Sequence, residues 1–308
     1  MKPTLTKKRP YYKTKWGAAY CADSLAFMKG LPDNSVNLVM TSPPFALQRQ
    51  KEYGNVAATE YIEWISPFAQ EIFRILKDDG SFVIDIGGSW IKGLPTRSLY
   101  HLDVVIAFTR TVGFHLAQEF FWYNPARLPS PAEWVTVRRI RVKDAVNTVW
   151  WLSKTPNPKA SNRNVLVEYS ESMRDLLANG YRAKLRPSGH DISTKFGRDN
   201  GGAIPSNLLQ IANTESNSEY LRMCREHGIR PHPARFPQAL PAFFIKLLTD
   251  AHDIVVDPFA GSMVTGAACE ELERYWYGIE IEPHYLEGSR FRFPDQLKNA
   301  RSSRSARA

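Results

Sequence analysis

Cysteine is scarce in this 308-residue chain: Cys21, Cys224 and Cys269 are the only three, widely spaced and odd in number. That excludes a disulfide framework and suits reduced thiols in a cytosol. No apolar run approaches the roughly 18 residues that a membrane span needs. The opening "MKPTLTKKRPYYKTKW" has no apolar core of the kind a secretory signal carries. CxxC, HExxH and clustered His/Cys patterns are all missing, so no metal site is assigned. Internal repeats are missing too.

Acidic charge is absent from residues 1–16, which carry six basic residues, and residues 295–308 set four basic residues against Asp295 alone. Removing both ends leaves 30 residues of each sign in 17–294, so the net charge of +9 belongs to the ends. Segments 1–15 and 295–308 are therefore read as basic disordered tails. Such tails serve solubility as readily as nucleic-acid binding. A local cluster inside the neutral body, "RRIRVK" at 138–143, is a better candidate for contact with a polyanion through Arg138, Arg139 and Arg141.

What is present is an alternation of strand and helix patterns. "WGAAYC" reads as a strand running to Asp23, "NLVMT" as a buried strand, and "YIEWISPFAQEIFRILKDDG" as an amphipathic helix ending at Gly80. "SFVIDIGG", "HLAQEFFWYN" and "DAVNTVWWLSK" read as strands, with "LDVVIAFTRTVGF" a helix among them. This order predicts an α/β fold with a doubly wound, mostly parallel, Rossmann-like sheet. From 156 to 231 the texture changes to Gly, Pro, Asn, Ser and basic residues. Within it, 159–235 holds 12 Lys/Arg against eight Asp/Glu, an excess suited to facing DNA. Regular order then resumes with "PQALPAFFIKLLT", "DIVVD" and "YWYGIEI". The predicted organisation is thus 16–155, a loop-rich insert 156–231, and 232–294.

Two stretches carry chemistry. In "DIVVDPFAGSMVTGAACEE" a strand meets a turn of small residues (Ala260, Gly261, Ser262) before a helix, which allows close approach of a ligand to the backbone. Glu280 ends the next strand, where nucleotide-binding α/β folds place an acid for ribose hydroxyls. A plain tight turn with a solvated glutamate would look the same. In "LVMTSPPFAL" the prolines Pro43 and Pro44 stop a buried strand and leave Thr41, Ser42 and Phe45 at a stiff tip.

Together these stretches resemble the amino-group, S-adenosylmethionine-dependent DNA methyltransferases. "TSPPF" resembles their motif IV, "DPFAGS" motif I, "GIEIEPHYLEGS" motif II and "HPARFPQALPAFFIKLL" motif X. The catalytic motif precedes the cofactor motifs, which is the circularly permuted order of the family's β group. The resemblance spans about 16–293 and points to the PvuII-like, cytosine-N4 branch through "SPPFALQRQKEYGN", "NPARLPSPAEWV", "RPSGHDIS" and "NLLQIAN".

That resemblance implies S-adenosylmethionine as cofactor and double-stranded DNA as partner. The Ser42 hydroxyl and the Pro43 carbonyl would contact the cytosine amino group, Pro44 would stiffen the tip, and Phe45 would stack on the flipped ring. Trp122 would form a second aromatic wall, although a core tryptophan on a strand fits equally. Asp23, His232, Phe236, Asp257, Phe259, Ala260, Gly261, Ser262 and Glu280 would hold the cofactor, with Asp23 alternatively a helix N-cap. Residues 156–231 would recognise the target, with Arg182, Lys184, Arg186, His190, Lys195 and Arg198 as base or phosphate contacts. The site would be CAGCTG. Also implied are a monomer in a prokaryotic cytosol, associated with the nucleoid, and a cognate restriction endonuclease as a functional, non-physical partner. Adenine-N6 methylation on the same fold, or DNA binding with weak catalysis, remain open. Met263 stands where the family usually has Gly, so its side chain must point away from the cofactor for binding to survive.

Overall fold

The computed structural model describes residues 4–46, 56–180, 198–214 and 218–293. The chain forms two compact units, Met1–Ala160 with Asn207–Ala308, and Ser161–Ser206. The larger unit is built on a nine-stranded sheet. Its strands are β1 (Tyr12–Lys13), β2 (Gly17–Cys21), β3 (Val36–Thr41), β4 (Leu76–Ile86), β5 (His115–Tyr123), β6 (Val146–Ser153), β7 (Leu208–Gln210), β8 (Ile254–Asp257) and β9 (Tyr275–Glu280). Across the sheet the order is β1-β2-β9-β8-β3-β4-β6-β5-β7. The five from β2 to β4 are parallel, β6 runs antiparallel to both β4 and β5, and β7 pairs parallel with β5.

Burial on both faces explains the apolar runs. All six residues of β3 are buried between β8 and β4. Ala18, Tyr20, Val39, Phe82, Ile84, Val256, Tyr277 and Ile279 share one core with α1 (Ser24–Met28), α2 (Tyr61–Ile75) and α3 (Tyr100–Ala107). The alternate residues Leu38, Met40, Val83, Val255 and Trp276 are buried as deeply and face the other side. There α6 (Ala239–Leu248) and α7 (Val264–Glu271) pack together and against β3, β8 and β9. Helix α2 buries Tyr61, Ile65, Phe68, Ala69, Ile72 and Ile75, a three-to-four-residue spacing that keeps one stripe inward. It ends at Ile75, five residues before the predicted stop at Gly80. Leu76 is already extended and fully buried in β4, so tertiary pairing overrides the turn signal of "KDDG".

The N-terminal expectation is corrected. Residues 4–15, read as a disordered tail from charge, are tied to the sheet. Tyr11 N donates to Ala19 O at 2.8 Å, Leu5 N donates to the Tyr277 hydroxyl at 3.2 Å, and Tyr12 is buried with its hydroxyl 2.6 Å from Ser289 Oγ. The charge count missed two tyrosines with an apolar body and a polar tip, which anchor an otherwise basic segment. The C-terminal segment 295–308 lies outside the described residues.

Of the segment 156–231, Ser161–Ser206 forms the smaller unit, whereas Leu208–Gln210 joins the sheet and α5 (Glu219–Glu226) buries Tyr220, Met223 and Cys224 beside Phe291. The smaller unit holds a bridge between Val167 and Ala203 and the helix α4 (Glu171–Asn179), whose N-cap Ser170 Oγ accepts from Met173 N. The Tyr169 hydroxyl donates to Asp199 and accepts from Asn200 N. Helix α4 buries no side chain. Among the described residues no helix is long and apolar enough to cross a membrane.

Candidate active site

Parallel strands present all their carboxyl ends on one edge, and a cavity of about 590 Å³ opens there. It receives Asp23 after β2, Ser42, Pro43, Pro44 and Phe45 after β3, Asp85 in β4, Phe259 to Ser262 after β8 and Glu280 at the end of β9. Trp122 of β5, Asn147 of β6, and His232 and Phe236 before α6 complete its walls. Two motifs more than 200 residues apart in sequence therefore share one cavity.

At the cofactor turn, the Glu280 carboxylate accepts from Gly261 N and from Glu282 N, each at 2.9 Å. Burial pushes its pKa up, and those backbone N–H groups oppose the rise. The Ile281 N–H also bonds this carboxylate, and since a carboxylate has about four lone-pair sites, acceptor capacity is left for a ligand hydroxyl. Gly261 has φ +49°, and a Cβ there would lie 3.2 Å from the His232 ring. The ring is held by Nδ1–H donating to Ala234 O at 2.5 Å, and burial lowers the His232 pKa to about 4, so the imidazole is neutral. Asp23 caps α1 by accepting from Ala26 N at 2.7 Å while also lining the cavity.

Asp257, expected among the cofactor contacts, is not part of the wall. It is buried at the end of β8, accepting from Thr41 Oγ1 and Thr265 Oγ1 at 2.6 Å each and from Phe259 N at 3.1 Å. Burial raises its pKa to about 6. The carboxylate locks the base of the proline tip to the start of the cofactor turn and to α7. Thr41, which had no assignable purpose in sequence, is half of that lock.

Met263 takes φ +59°, the left-handed conformation that explains a glycine preference at this position. Its side chain is fully buried, does not line the cavity, and runs over Gly278 of β9, where a Cβ would lie 2.3 Å from Met263 Sδ. The methionine therefore fills a glycine-lined gap behind the turn. Gly278→Ala is expected to cost about 1–3 kcal/mol by overpacking, and much less in a Met263→Ala background. A thermal or urea melting cycle measures this, and equal costs in both backgrounds would refute the pairing.

The proline tip carries its own network. The Tyr61 hydroxyl donates to Pro44 O at 2.8 Å, pinning the tip to α2. The Ser42 hydroxyl donates to Asp85 Oδ2 at 3.2 Å, and Asn147 Nδ2 donates to Asp85 Oδ1 at 3.3 Å. Asn147 Oδ1 in turn accepts from Arg127 Nη1 at 3.0 Å. Asp85 is buried, and desolvation raises its pKa to about 7 against the lowering effect of Ser42, Asn147 and Arg127. Sequence reading passed over Asp85 and Asn147. The available signal was a carboxylate interrupting the buried run "SFVIDI".

Other expectations lie elsewhere. Trp122 lines the cavity but is largely buried, its Nε1–H donating to Ile211 O at 2.8 Å. Arg138, Arg139 and Arg141 are exposed and outside the cavity. Arg138 lies over the Trp134 ring at 5.1 Å, and Arg141 donates to Pro95 O and Ile140 O. Arg198 is exposed in the smaller unit. Arg182, Lys184, Arg186, His190 and Lys195 fall outside the described residues.

A family model described as DNA methylase (N6_N4_Mtase) matches residues 36–291. The chain belongs to this DNA methylase family. It is 53% identical over 291 residues to the type II methyltransferase M.PvuII of Proteus hauseri, covering 94% of this chain and 87% of that one. The type II methyltransferase M.BglII of Bacillus subtilis is 26% identical over 271 residues, covering 87% and 66%. Among solved structures, the cytosine-N4-specific PvuII DNA methyltransferase superposes on this methylase with TM-score 0.77 at 47% identity, over 93% of this chain and 89% of that one. The Thermus thermophilus protein TTHA0409, complexed with S-adenosyl-L-methionine, shares the fold at TM-score 0.54 and 18% identity, over 91% and 95%.

Proposed function

We propose that this DNA methylase transfers a methyl group from S-adenosylmethionine to the exocyclic N4 amino group of a flipped cytosine in double-stranded DNA. The observation that carries the reading is the Ser42–Asp85 hydrogen bond, set in the same cavity as Glu280 and the Gly261 turn.

The residues fit the cofactor. Glu280 offers half-buried acceptors to ribose hydroxyls, Phe259, Ala260 and Ile281 offer apolar surface, and Met263 keeps clear of the space. When bound, S-adenosylmethionine supplies an electrophilic methyl group. The chain supplies the rest. An exocyclic amino nitrogen is a poor nucleophile because its lone pair is delocalised into the ring. Acceptors at Ser42 Oγ and Pro43 O draw its N–H bonds and pull the nitrogen toward tetrahedral geometry. Pro43 and Pro44 hold those acceptors in place before substrate arrives. Asp85, with a pKa near neutrality, is suited to take the proton that the nitrogen loses through Ser42. Phe45 offers a stacking surface, worth about 1–3 kcal/mol, that offsets part of the flipping cost. No cysteine lines the cavity among the described residues, and burial raises the pKa of both Cys224 and Cys269, which speaks against a covalent carbon-5 route.

Residues 156–231 are the reading's target-recognition region, with CAGCTG the expected site. The enzyme would act as a monomer in the cytosol and nucleoid, protecting DNA from a cognate endonuclease it does not bind. The test is nucleoside mass analysis of DNA treated with enzyme and cofactor, followed by sequencing of the modified positions. N4-methylcytosine at CAGCTG is the expected product. N6-methyladenine alone would sink the reading, and DNA binding with no modified base would make this a binding protein. Ser42→Ala is expected to slow transfer at least tenfold, on the order of one charge-assisted hydrogen bond, with cofactor affinity unchanged.

A further inference from the structure

Cytosine and adenine present the same first two groups to an enzyme of this kind, an amino donor and then a ring-nitrogen acceptor. They differ at the third position of the edge: cytosine has the O2 acceptor, adenine a C–H that takes no hydrogen bond. The cavity holds a row of polar groups with a matching polarity. Ser42, Asp85, Asn147 and Arg127 all line it and follow one another through hydrogen bonds of 3.2, 3.3 and 3.0 Å. The row begins with an oxygen that accepts and ends with a guanidinium that only donates. Asn147 sits between, its Oδ1 facing Arg127 and its Nδ2 facing Asp85, so the amide's orientation is set from both sides.

Arg127 is half-buried, and its Nη1 is engaged with Asn147. A guanidinium carries five N–H donors in a rigid plane, so the contact to Asn147 engages only part of the donor set of this cavity-lining residue. Resting on the methyl-transfer reading above, we propose that Arg127 is the specificity residue for the target base, donating to O2 of the flipped cytosine. A flipped adenine would set its C–H against the same guanidinium and leave a desolvated donor unpaired. A site built to pair a substrate polar group rejects analogues that lack it for this reason. Arg127 thus distinguishes two bases that the Ser42 end cannot tell apart.

The experiment uses the full chain and duplexes carrying the enzyme's mapped target. One duplex has cytosine at the modified position; the other has a 2-aminopyridine C-nucleoside, which keeps the amino group and ring nitrogen but has C–H in place of O2. Single-turnover methyl transfer and equilibrium duplex affinity are measured for wild type, Arg127→Met and Arg127→Lys, with melting curves confirming that each variant is folded. Wild type is expected to lose roughly ten- to a hundredfold on the analogue, the worth of one hydrogen bond to a charged group. Arg127→Met should show that loss on cytosine and none further on the analogue, and Arg127→Lys should retain part of the discrimination. Equal losses for Arg127→Met on both duplexes would overturn the proposal. So would uniformly weaker binding to both with a salt slope reduced by about one, which marks a phosphate contact. Should wild type form no N4-methylcytosine, the methyl-transfer reading fails, and the affinity comparison still decides the role of Arg127.

Discussion

Replacing Asp85 by asparagine is expected to lower the single-turnover methyl-transfer rate by about 10²–10⁴-fold, the usual worth of a positioned general base. Cofactor affinity should hardly change, because the substituted group, in β4, bonds Ser42 and Asn147 and makes no hydrogen bond to Glu280 or the Gly261 turn. Asparagine keeps the shape, and the Ser42 hydroxyl can rotate to accept from its amide, so the defect is chemical. The pH dependence follows from the same group. Only the ionised carboxylate takes up a proton, and desolvation raises the Asp85 pKa to about 7. The wild-type rate should therefore rise with pH through that value, and the rise should vanish in the variant. Stability runs the other way. A carboxyl whose pKa is raised from 3.8 to about 7 binds more protons folded than unfolded across that window. Folding stability from this group is thus fully present below the window and is lost as pH rises through it, at about 1.4 kcal/mol per pH unit. Asp85→Asn escapes that loss, so its melting temperature at pH 8 should equal or exceed that of wild type. A variant less active and also less stable at pH 8 would contradict the assignment.

Glu280→Ala is expected to weaken S-adenosylmethionine binding by about 10²–10³-fold, since hydrogen bonds to a charged group are worth roughly 1.5–3 kcal/mol each. Two effects add. The side chain is lost as an acceptor for ligand hydroxyls, and Gly261 N and Glu282 N lose the oxygens they now donate to. The turn at Gly261, with its positive φ, then loses a fastening to β9. Titration calorimetry measures the affinity, and transfer at saturating cofactor separates binding from chemistry. A normal maximal rate with a large rise in KM is expected. An unchanged affinity would remove Glu280 from the site.

Legibility differed from residue to residue. Ser42, Phe45, Gly261 and Glu280 stand in short, chemically unusual strings, two prolines behind a buried strand and a small-residue turn before a helix, so sequence reading found them. Asn147 lies inside an ordinary strand pattern, and Asp85 is marked locally only by a carboxylate within a buried apolar run. Their significance exists because β4 lies beside β3 and β6 pairs with β4, which brings both to the Ser42 tip. Asp257 shows the converse. It belongs to a recognisable string, yet its carboxylate is consumed by Thr41 and Thr265 and contributes position rather than contact. In the N-terminal segment basic charge suggests disorder, whereas Tyr11 and Tyr12 decide the packing.

By itself, the sequence determined the alternation of strands and helices, the family, and the two strings that meet in the cavity. These are local properties, written in periodicity, in proline and glycine placement, and in the order of motifs. Only the tertiary structure decided that a buried carboxylate stands behind Ser42, that Thr41 is a tie to the cofactor turn, and that Met263 points into the gap over Gly278. Each depends on which strands are neighbours and on how far a side chain is removed from water. Pairing across more than 40 residues of chain, and the desolvation that shifts a pKa, have no local signature.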